Sequence, residues 1–558
     1  MKKLVSMFLA AATSIMLVAC GGVKPQSTLI SRSESTVVVE TTSAPETTTE
    51  MAESIETSAA ATNASAALEI TNMPFSYPDK TRIIITTDGE CDDFNSLHHI
   101  LLYANDFDFA GIIYSASTYH FQGDGVHTLG EVTKNCICAG ENAAQLTEYR
   151  PQEMGWIEKT IQDEYSVDHQ HLVENDPSYP TPEQLLTVVK VGNVAFEGDV
   201  REATEGSDWI ASRILDDDQR PLYIASWGGF NTVARALLTI HEIYGETADW
   251  DAIYEKVIHK VVIQGAGQDT TYKNFIAELY PDLKMINGVA NGYGYQIAKQ
   301  PTANVLKYFQ SAWLKENIKF NHGKLMEEYH LIGDGAYYYG EPDLFQFGQR
   351  TTFGFNEDTQ VQREQYDWLG EGDSMSWLIH IPVGLRGMEN GNLGTWCGRI
   401  SVNGKALSSS GSYEEYNFYT GKMDRAFSST RWLQALSEDW AARCDWTVSS
   451  YDECNHPPVV NAKTLDISGA AGETVSLTAL AEDPDGDLLK TSWWLYREVS
   501  EYNGIETELS VAEIDALTAS FIIPKDAVTG DYFNIIFEVK DDASAPMTRY
   551  AQIIVTVK

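Results

Sequence analysis

Three aspartates fall within six residues, Asp88, Asp92 and Asp93 in the stretch Thr86-Thr-Asp-Gly-Glu-Cys-Asp-Asp93. Ionised carboxylates only accept hydrogen bonds, so such a cluster repels itself unless a hard cation such as Ca²⁺ gathers its oxygens. The flanking segments say where the cluster sits. Arg82 to Thr87 is a short β-branched run of the kind that forms a buried parallel strand, and Ser96-Leu-His-His-Ile-Leu-Leu-Tyr103 continues as a helix. The acids are therefore expected on the loop joining the two, at the carboxyl end of a strand, where open α/β sheets bind ligands. The competing reading is an acidic turn that caps the helix, since Asp is a common N-cap. Three acids exceed what one cap needs.

Further along, Pro221-Leu-Tyr-Ile-Ala-Ser-Trp-Gly-Gly-Phe-Asn-Thr-Val-Ala-Arg-Ala-Leu-Leu238 repeats the order strand, glycine-bearing loop, helix. Gly228 and Gly229 allow backbone to approach a ligand closely, and a helix beginning near Thr232 offers unpaired amides. Lys256-Val-Ile-His-Lys-Val-Val-Ile-Gln-Gly-Ala-Gly-Gln-Asp269 reads as a third such unit, from which Gln268, Asp269 and Asn274 would reach a sugar hydroxyl. In Leu369-Gly-Glu-Gly-Asp-Ser-Met-Ser-Trp377 an acid, Asp373, again stands at a helix start, where it would equally serve as a cap.

Asp88-x-x-x-Asp92-Asp93 at the end of a first strand resembles the calcium signature of the nucleoside hydrolases. With Leu101-Leu-Tyr-Ala-Asn-Asp-Phe-Asp-Phe-Ala-Gly-Ile-Ile-Tyr-Ser-Ala-Ser117 behind it, the motif is most similar to the nucleoside-hydrolase-like domain of Sde182-type cellulose-binding proteins. The resemblance implies a Rossmann-like, mostly parallel α/β sheet and a Ca²⁺ held by Asp88, Asp93, the backbone carbonyl of Asn231 and Asp373. It also implies Asp88 as the base that takes a proton from water attacking an anomeric carbon, and Asp92 and Asn231 as groups that meet the sugar. Asp269 and Asn274 join them as substrate-binding candidates. Three places depart from the nucleoside hydrolase pattern. Thr86 stands where an additional Asp opens the motif, Gly89-Glu90 replaces Pro-Gly, and Gly372 replaces the His that precedes the distant Asp. With that His gone, Glu371 is the neighbouring candidate acid. His120 and His127, on a loop after the second strand, would meet substrate or serve as ordinary hydrogen-bonders.

The chain opens with Met1-Lys-Lys, an apolar stretch from Leu4 to Val18 and Leu17-Val-Ala-Cys20. That pattern reads as a lipoprotein signal over residues 1–20 with Cys20 as the lipidated residue, and hence an extracytoplasmic protein anchored to a membrane. Residues 21–76 are rich in Ser, Thr, Ala and Glu and have too little apolar material to form a core, so they are expected as a disordered tether. Residues 77–450 would form the nucleoside-hydrolase-like domain. From 457 to 558, alternating segments such as Thr474-Val-Ser-Leu-Thr-Ala-Leu480, Thr491-Ser-Trp-Trp-Leu-Tyr496 and Tyr532-Phe-Asn-Ile-Ile-Phe-Glu-Val539 read as an Ig-like antiparallel β-sandwich. Acidic loops in that domain, Glu482-Asp-Pro-Asp-Gly-Asp487 among them, would hold Ca²⁺ or simply turn the chain.

A formal net charge of −41 argues against nucleic acid as a partner and suits a neutral sugar better. The cysteines beyond Cys20 are even in number, and Cys444 with Cys454 makes a plausible local disulfide; Cys136 and Cys138 lack a second ligand pair at zinc-like spacing. Tyr337 to Tyr339, Trp227, Trp377 and Trp396 would stack on sugar faces or belong to the core. The function expected is a calcium-assisted glycosyl hydrolase, acting on a glycoside or N-glycoside. The alternatives are a non-catalytic protein that binds cellulose or another plant polysaccharide, and a solute-capture lipoprotein.

Overall fold

The computed structural model describes residues 68–133, 143–265, 270–287, 303–335, 364–403, 406–408, 414–505 and 509–558. Cys20, the leader, tether residues 21–67, Cys136, Cys138, Gln268, Asp269 and Tyr337 to Tyr339 lie outside them. Residues 68–76, expected as the end of the tether, are instead tied to the folded part: the Thr71 amide donates to Ser212 Oγ at 3.0 Å, and Met73 and Phe75 pack against the core.

Strand β1 (Thr81–Thr87) is the centre of the first sheet. Its isoleucines are shut away on both faces: Ile83 and Ile85 pack into one core and Ile84 into the other. That two-sided burial is why the segment is apolar throughout rather than alternating. Parallel neighbours flank it, β2 (Phe107–Tyr114) on one side and β4 (Leu222–Ser226) on the other. Beyond them lie β3 (Val189–Val191), β5 (Val261–Gly265), β6 (Lys284–Asn287) and the antiparallel pair β7 (Ser401–Asn403) and β8 (Ala406–Ser408). The order is β3-β2-β1-β4-β5-β6-β8-β7. The chain leaves β1 for β2 and β3 on one side, then returns to build β4, β5 and β6 on the other. The sheet therefore reverses its winding between β1 and β4, and the carboxyl ends of those two strands open the crevice where doubly wound sheets bind ligands.

Two helices start elsewhere than the sequence suggests. The one after β1 runs Cys91–Leu102, so Asp92 and Asp93 lie in its first turn, and of the three acids only Asp88 is on the loop. Carboxylates are favoured there by the positive end of the helix. The helix before β5 runs Trp250–Lys260 and takes up Lys256 to Lys260, leaving only Val261–Gly265 as strand.

The carboxyl-terminal part pairs two four-stranded sheets. One orders β11 (Val459–Ala462), β13 (Thr474–Glu482), β16 (Thr518–Ile522) and β15 (Val511–Asp515). The other orders β12 (Asp466–Gly469), β18 (Thr548–Val557), β17 (Tyr532–Lys540) and β14 (Lys490–Leu495). Pairing is antiparallel except for β12 with β18, and one apolar core lies between the sheets, as in a β-sandwich. The sandwich is not a loose appendage. Tyr496, Ile536 and Tyr550 enter the core of the α/β part, the amide of Tyr550 donates to Val383 at 2.8 Å, and Arg549 reaches buried Asp439 at 2.6 Å.

Between the α/β sheet and the sandwich, β9 (Glu415–Asn417) and β10 (Lys422–Asp424) form a separate hairpin. Cys444 and Cys454 are both buried free thiols, so the local disulfide does not form. Trp227, Trp377 and Trp396 are core residues rather than an open sugar platform.

Candidate metal and sugar site

Asp88 directly follows β1 and is almost fully buried, with the backbone of the β4 loop folded over it. A Cβ on Gly228 would lie 2.7 Å from both Cβ and Cγ of Asp88, so only glycine permits that approach. The loop is held in place by the Trp227 amide, which donates to the Thr86 carbonyl at 2.7 Å. The Trp227 indole donates to Ser376 Oγ at 2.9 Å. Ser376 in turn donates to the carbonyl of Asp373 at 2.7 Å. One tryptophan thus ties together the ends of β1 and β4 and the distant segment that carries Asp373.

Asp92, Asp93 and Asp373 each present a carboxylate oxygen, and the three oxygens lie within 4.8 Å of one another. Asp93 is fully buried and Asp373 half-buried. Burial raises the pKa of Asp93 well above the carboxylate range, and Asp88, Asp373 and Asp92 push it further. Burial also raises Asp373, followed by repulsion from Asp92 and Asp88. Asp88 is raised by burial, against which nearby His120, the Ser117 hydroxyl and the Glu90 amide favour its charged form.

Asp93 shows what such a cluster lacks. Its Oδ1 accepts from Thr87 Oγ1, while its Oδ2 is buried and receives no hydrogen bond from a donor group. Close to it is another carboxylate, Asp88, near enough to share a proton. Convergent, partly unsatisfied hard oxygens are the donor set a Ca²⁺ takes, so these residues fit the ion.

Other candidates are placed differently. Asn231 opens the helix Asn231–Tyr244 beside the Gly228 loop, but its side chain is fully committed: Oδ1 accepts from Ser115 at 2.8 Å, and Nδ2 donates to the carbonyls of Phe196, at 3.1 Å, and Asn193. What it has left for a ligand is backbone. Asn274 is half-buried in the helical turn Tyr272–Ile276, just after Thr270 and Thr271, which are clasped by buried Glu197. Glu371 is not an available acid, because its buried carboxylate accepts from His99 Nδ1 at 2.8 Å and from the Tyr329 hydroxyl. At Gly372 the amide donates to Asp92 Oδ2 at 3.1 Å, and a Cβ there would lie 2.4 Å from that oxygen. A histidine at that position would have to displace Asp92.

The two histidines separate. His127 is exposed on the surface and bonded to Asp124 at 2.7 Å, whereas His120 is buried. The Nδ1 of His120 lies 2.9 Å from the Arg150 carbonyl and its Nε2 lies 3.7 Å from Glu90. Sequence reasoning named His120 without preferring it and missed Thr87, Ser117 and Ser376. Thr87 ends β1 beside the acidic loop and Ser117 follows β2, which was a signal in the sequence, whereas Ser376 lies in the short helix Met375–Leu378 and reaches the site only through packing.

A mostly parallel sheet with four carboxylates gathered at its winding reversal defines a nucleoside-hydrolase-like domain. Residues 82–400 match the family model for the nucleoside hydrolase-like domain of cellulose-binding Sde182, and residues 474–557 match the model for the C-terminal domain of cellulose-binding protein Sde0182. The chain belongs to this Sde182 family. Its fold is shared by a nucleoside hydrolase-related hypothetical protein from Saccharophagus degradans associated with carbohydrate metabolism. That likeness has 22% identity and a TM-score of 0.61, covering 86% of this chain and 100% of that one. Domain 1 of VCBP3 from Branchiostoma floridae overlaps 18% of this chain and 96% of its own, at 13% identity and a TM-score of 0.14, too little to argue from. No curated protein matches the chain significantly.

Proposed function

We propose that the protein is an exported, lipid-anchored glycosyl hydrolase whose acidic site uses Ca²⁺ to direct water onto the anomeric carbon of a glycoside or N-glycoside. The observation that carries this reading is the convergence of Asp88, Asp92, Asp93 and Asp373, with a buried Asp93 oxygen that no donor group satisfies. A bound Ca²⁺, held by Asp88, Asp93, Asp373 and the Asn231 carbonyl, would supply Lewis acidity and orient vicinal sugar hydroxyls. Asp88 takes the proton of the attacking water, a role helped by a carboxyl whose pKa burial has raised towards the working pH. Ser117 and His120 hold that carboxylate in place. Asp92, fixed by the Gly372 amide, accepts from a sugar hydroxyl.

A specific observation favours a second reading, carbohydrate binding without turnover. The loop before Asp373 offers no proton for a leaving group, since Gly372 has no side chain and Glu371 is sealed between His99 and Tyr329. The family's description as cellulose-binding points the same way.

Release of reducing sugar from nucleosides, aryl glycosides and plant oligosaccharides, with and without chelator, separates the two. Hydrolysis predicts turnover that needs Ca²⁺ and falls by about 10²–10⁴-fold in Asp88→Asn. No turnover from the panel, with polysaccharide retention that survives Asp88→Asn, leaves the binding reading. Cys20→Ser tests the anchor: the protein should leave the membrane fraction.

A further inference from the structure

The hairpin of β9 and β10 turns its two faces to very different environments. On the inner face Glu415 is fully buried, paired with Arg431 at 2.9 Å and Arg399 at 3.6 Å, and accepts from the Tyr496 hydroxyl at 3.1 Å. Asn417 closes the turn, its Oδ1 accepting from the amides of Tyr419 and Thr420 at 3.0 and 3.3 Å. The hairpin is thus riveted down, and its outer side chains are held in place.

Those outer side chains are large and apolar. Tyr416 and Met423 are a cross-strand pair, 51% and 57% exposed, and Phe418 and Tyr419 at the tip are 57% and 49% exposed. Phe418 packs on Tyr419 with ring centroids 4.4 Å apart and rests edge-on against Phe427 at 5.1 Å. Holding such groups rigidly in water is unfavourable unless something covers them, and contiguous apolar patches on soluble proteins mark interaction sites.

We propose that this aromatic strip is the docking site for a neutral polysaccharide chain, separate from the acidic crevice; the assignment rests on the carbohydrate reading above. Size argues for a narrow ligand. Side chains of about 200 Å², each about half exposed, offer about 400 Å², roughly half of the ~800 Å² per partner that a stable protein interface buries. That is too little for a second copy of the chain and enough for a few sugar rings. Charge argues for a neutral one, since a polyanion would be repelled by a molecule carrying −41. The chemistry also fits. Sugar rings present C–H faces to aromatic faces, and Tyr416, Phe418 and Tyr419 offer such faces to solvent.

The test is retention of the full chain on gels containing soluble cellulose derivative, xylan or glucomannan. It compares wild type, Tyr416→Ala/Phe418→Ala/Tyr419→Ala, Tyr416→Ala/Met423→Ala and Asp88→Asn. The second variant leaves the contacts with Phe427 untouched, so it folds even if the first does not. The expected result is wild-type retention on at least one gel, about tenfold or more weaker in both hairpin variants and unchanged in Asp88→Asn. Turnover of a small aryl glycoside should be the same in the hairpin variants as in wild type. Wild-type retention that either folded hairpin variant keeps would overturn the assignment and leave the carbohydrate reading standing. No wild-type retention on any gel would overturn both. A dimer that dissociates in the hairpin variants would make a second copy the occupant and overturn the glycan.

Discussion

Asp93→Asn is the sharpest perturbation of the acidic site, because it removes one charge and almost no shape. The carboxamide of the variant keeps an oxygen to accept from Thr87, and its NH₂, in place of the unsatisfied Oδ2, donates to Asp92 or Asp373. Two ionised carboxylates at the 4.8 Å outer limit of the cluster repel by about 3.5 kcal/mol at an effective dielectric near 20. Asp93 faces two such partners in Asp92 and Asp373, and Asp88 besides, so full ionisation without a cation would cost at least about 7 kcal/mol. The cluster escapes part of this by holding a proton. At a pH of about 7.5 that costs about 5 kcal/mol for a carboxyl whose ordinary value is about 3.8, which caps the strain. Asp373 is only half-buried, which lowers the figure further. The variant should therefore be more stable than wild type in chelator by about 2–5 kcal/mol. For residues 67–558 unfolding together, 1 kcal/mol corresponds to about 1 °C in Tm, so the gain should be about 2–5 °C. Millimolar Ca²⁺ should reverse the order, raising wild type and leaving Asp93→Asn nearly unmoved. Calorimetry with chelator and with Ca²⁺ reads both. A variant less stable than wild type in chelator, or one with an undiminished Ca²⁺ shift, would refute the account of the cluster as a strained cation site.

Three further outcomes are expected. Gly228→Ala drives a methyl into Asp88, so it should cost about 1–3 kcal/mol in thermal unfolding and blunt the Ca²⁺ response as well; a change in stability alone would mean that the loop yields without moving Asp88. His380, buried beside Gln264 and Tyr223, has its imidazole pKa pushed down by burial to about 3, against about 6.5 unfolded. Between those values the unfolded chain takes up a proton that the native state refuses. The stability His380 contributes is therefore full above about pH 6.5 and is lost as pH falls towards 3. In denaturant titrations at pH 7 and 5, His380→Asn should lose about 2 kcal/mol less on acidification than wild type; equal losses would place the imidazole's titration elsewhere. Glu415→Ala strips Arg431 and Arg399 of their buried partner and should destabilise by about 3–5 kcal/mol, with faster proteolysis of the hairpin; intact resistance would show that the hairpin is held by other contacts.

Residue order alone settles the local chemistry. A β-branched run reads as a buried parallel strand because both its faces are covered, and the strand, acids and helix after it follow each other within one stretch of chain. The segment Thr474–Glu482 announced its sheet for an equally local reason, the two-residue period of a strand with one wet face, whereas Tyr532–Lys540 is buried on both faces because Ile536 packs into the α/β core. Packing governs everything that depends on distant residues. It brings Asp373 to Asp92, a pairing that spacing along the chain does not encode, and it explains Gly372 by the absence of room beside Asp92. It commits the Asn231 side chain to Ser115, Asn193 and Phe196, and it buries Glu371 behind His99 and Tyr329, since which groups a polar side chain meets is set by packing rather than by type. Aromatic residues show the same limit. Trp227, Trp377 and Trp396 fill the core while Tyr416, Phe418 and Tyr419 face water, because side chains of one chemical kind acquire opposite roles from the side of the backbone on which the fold places them.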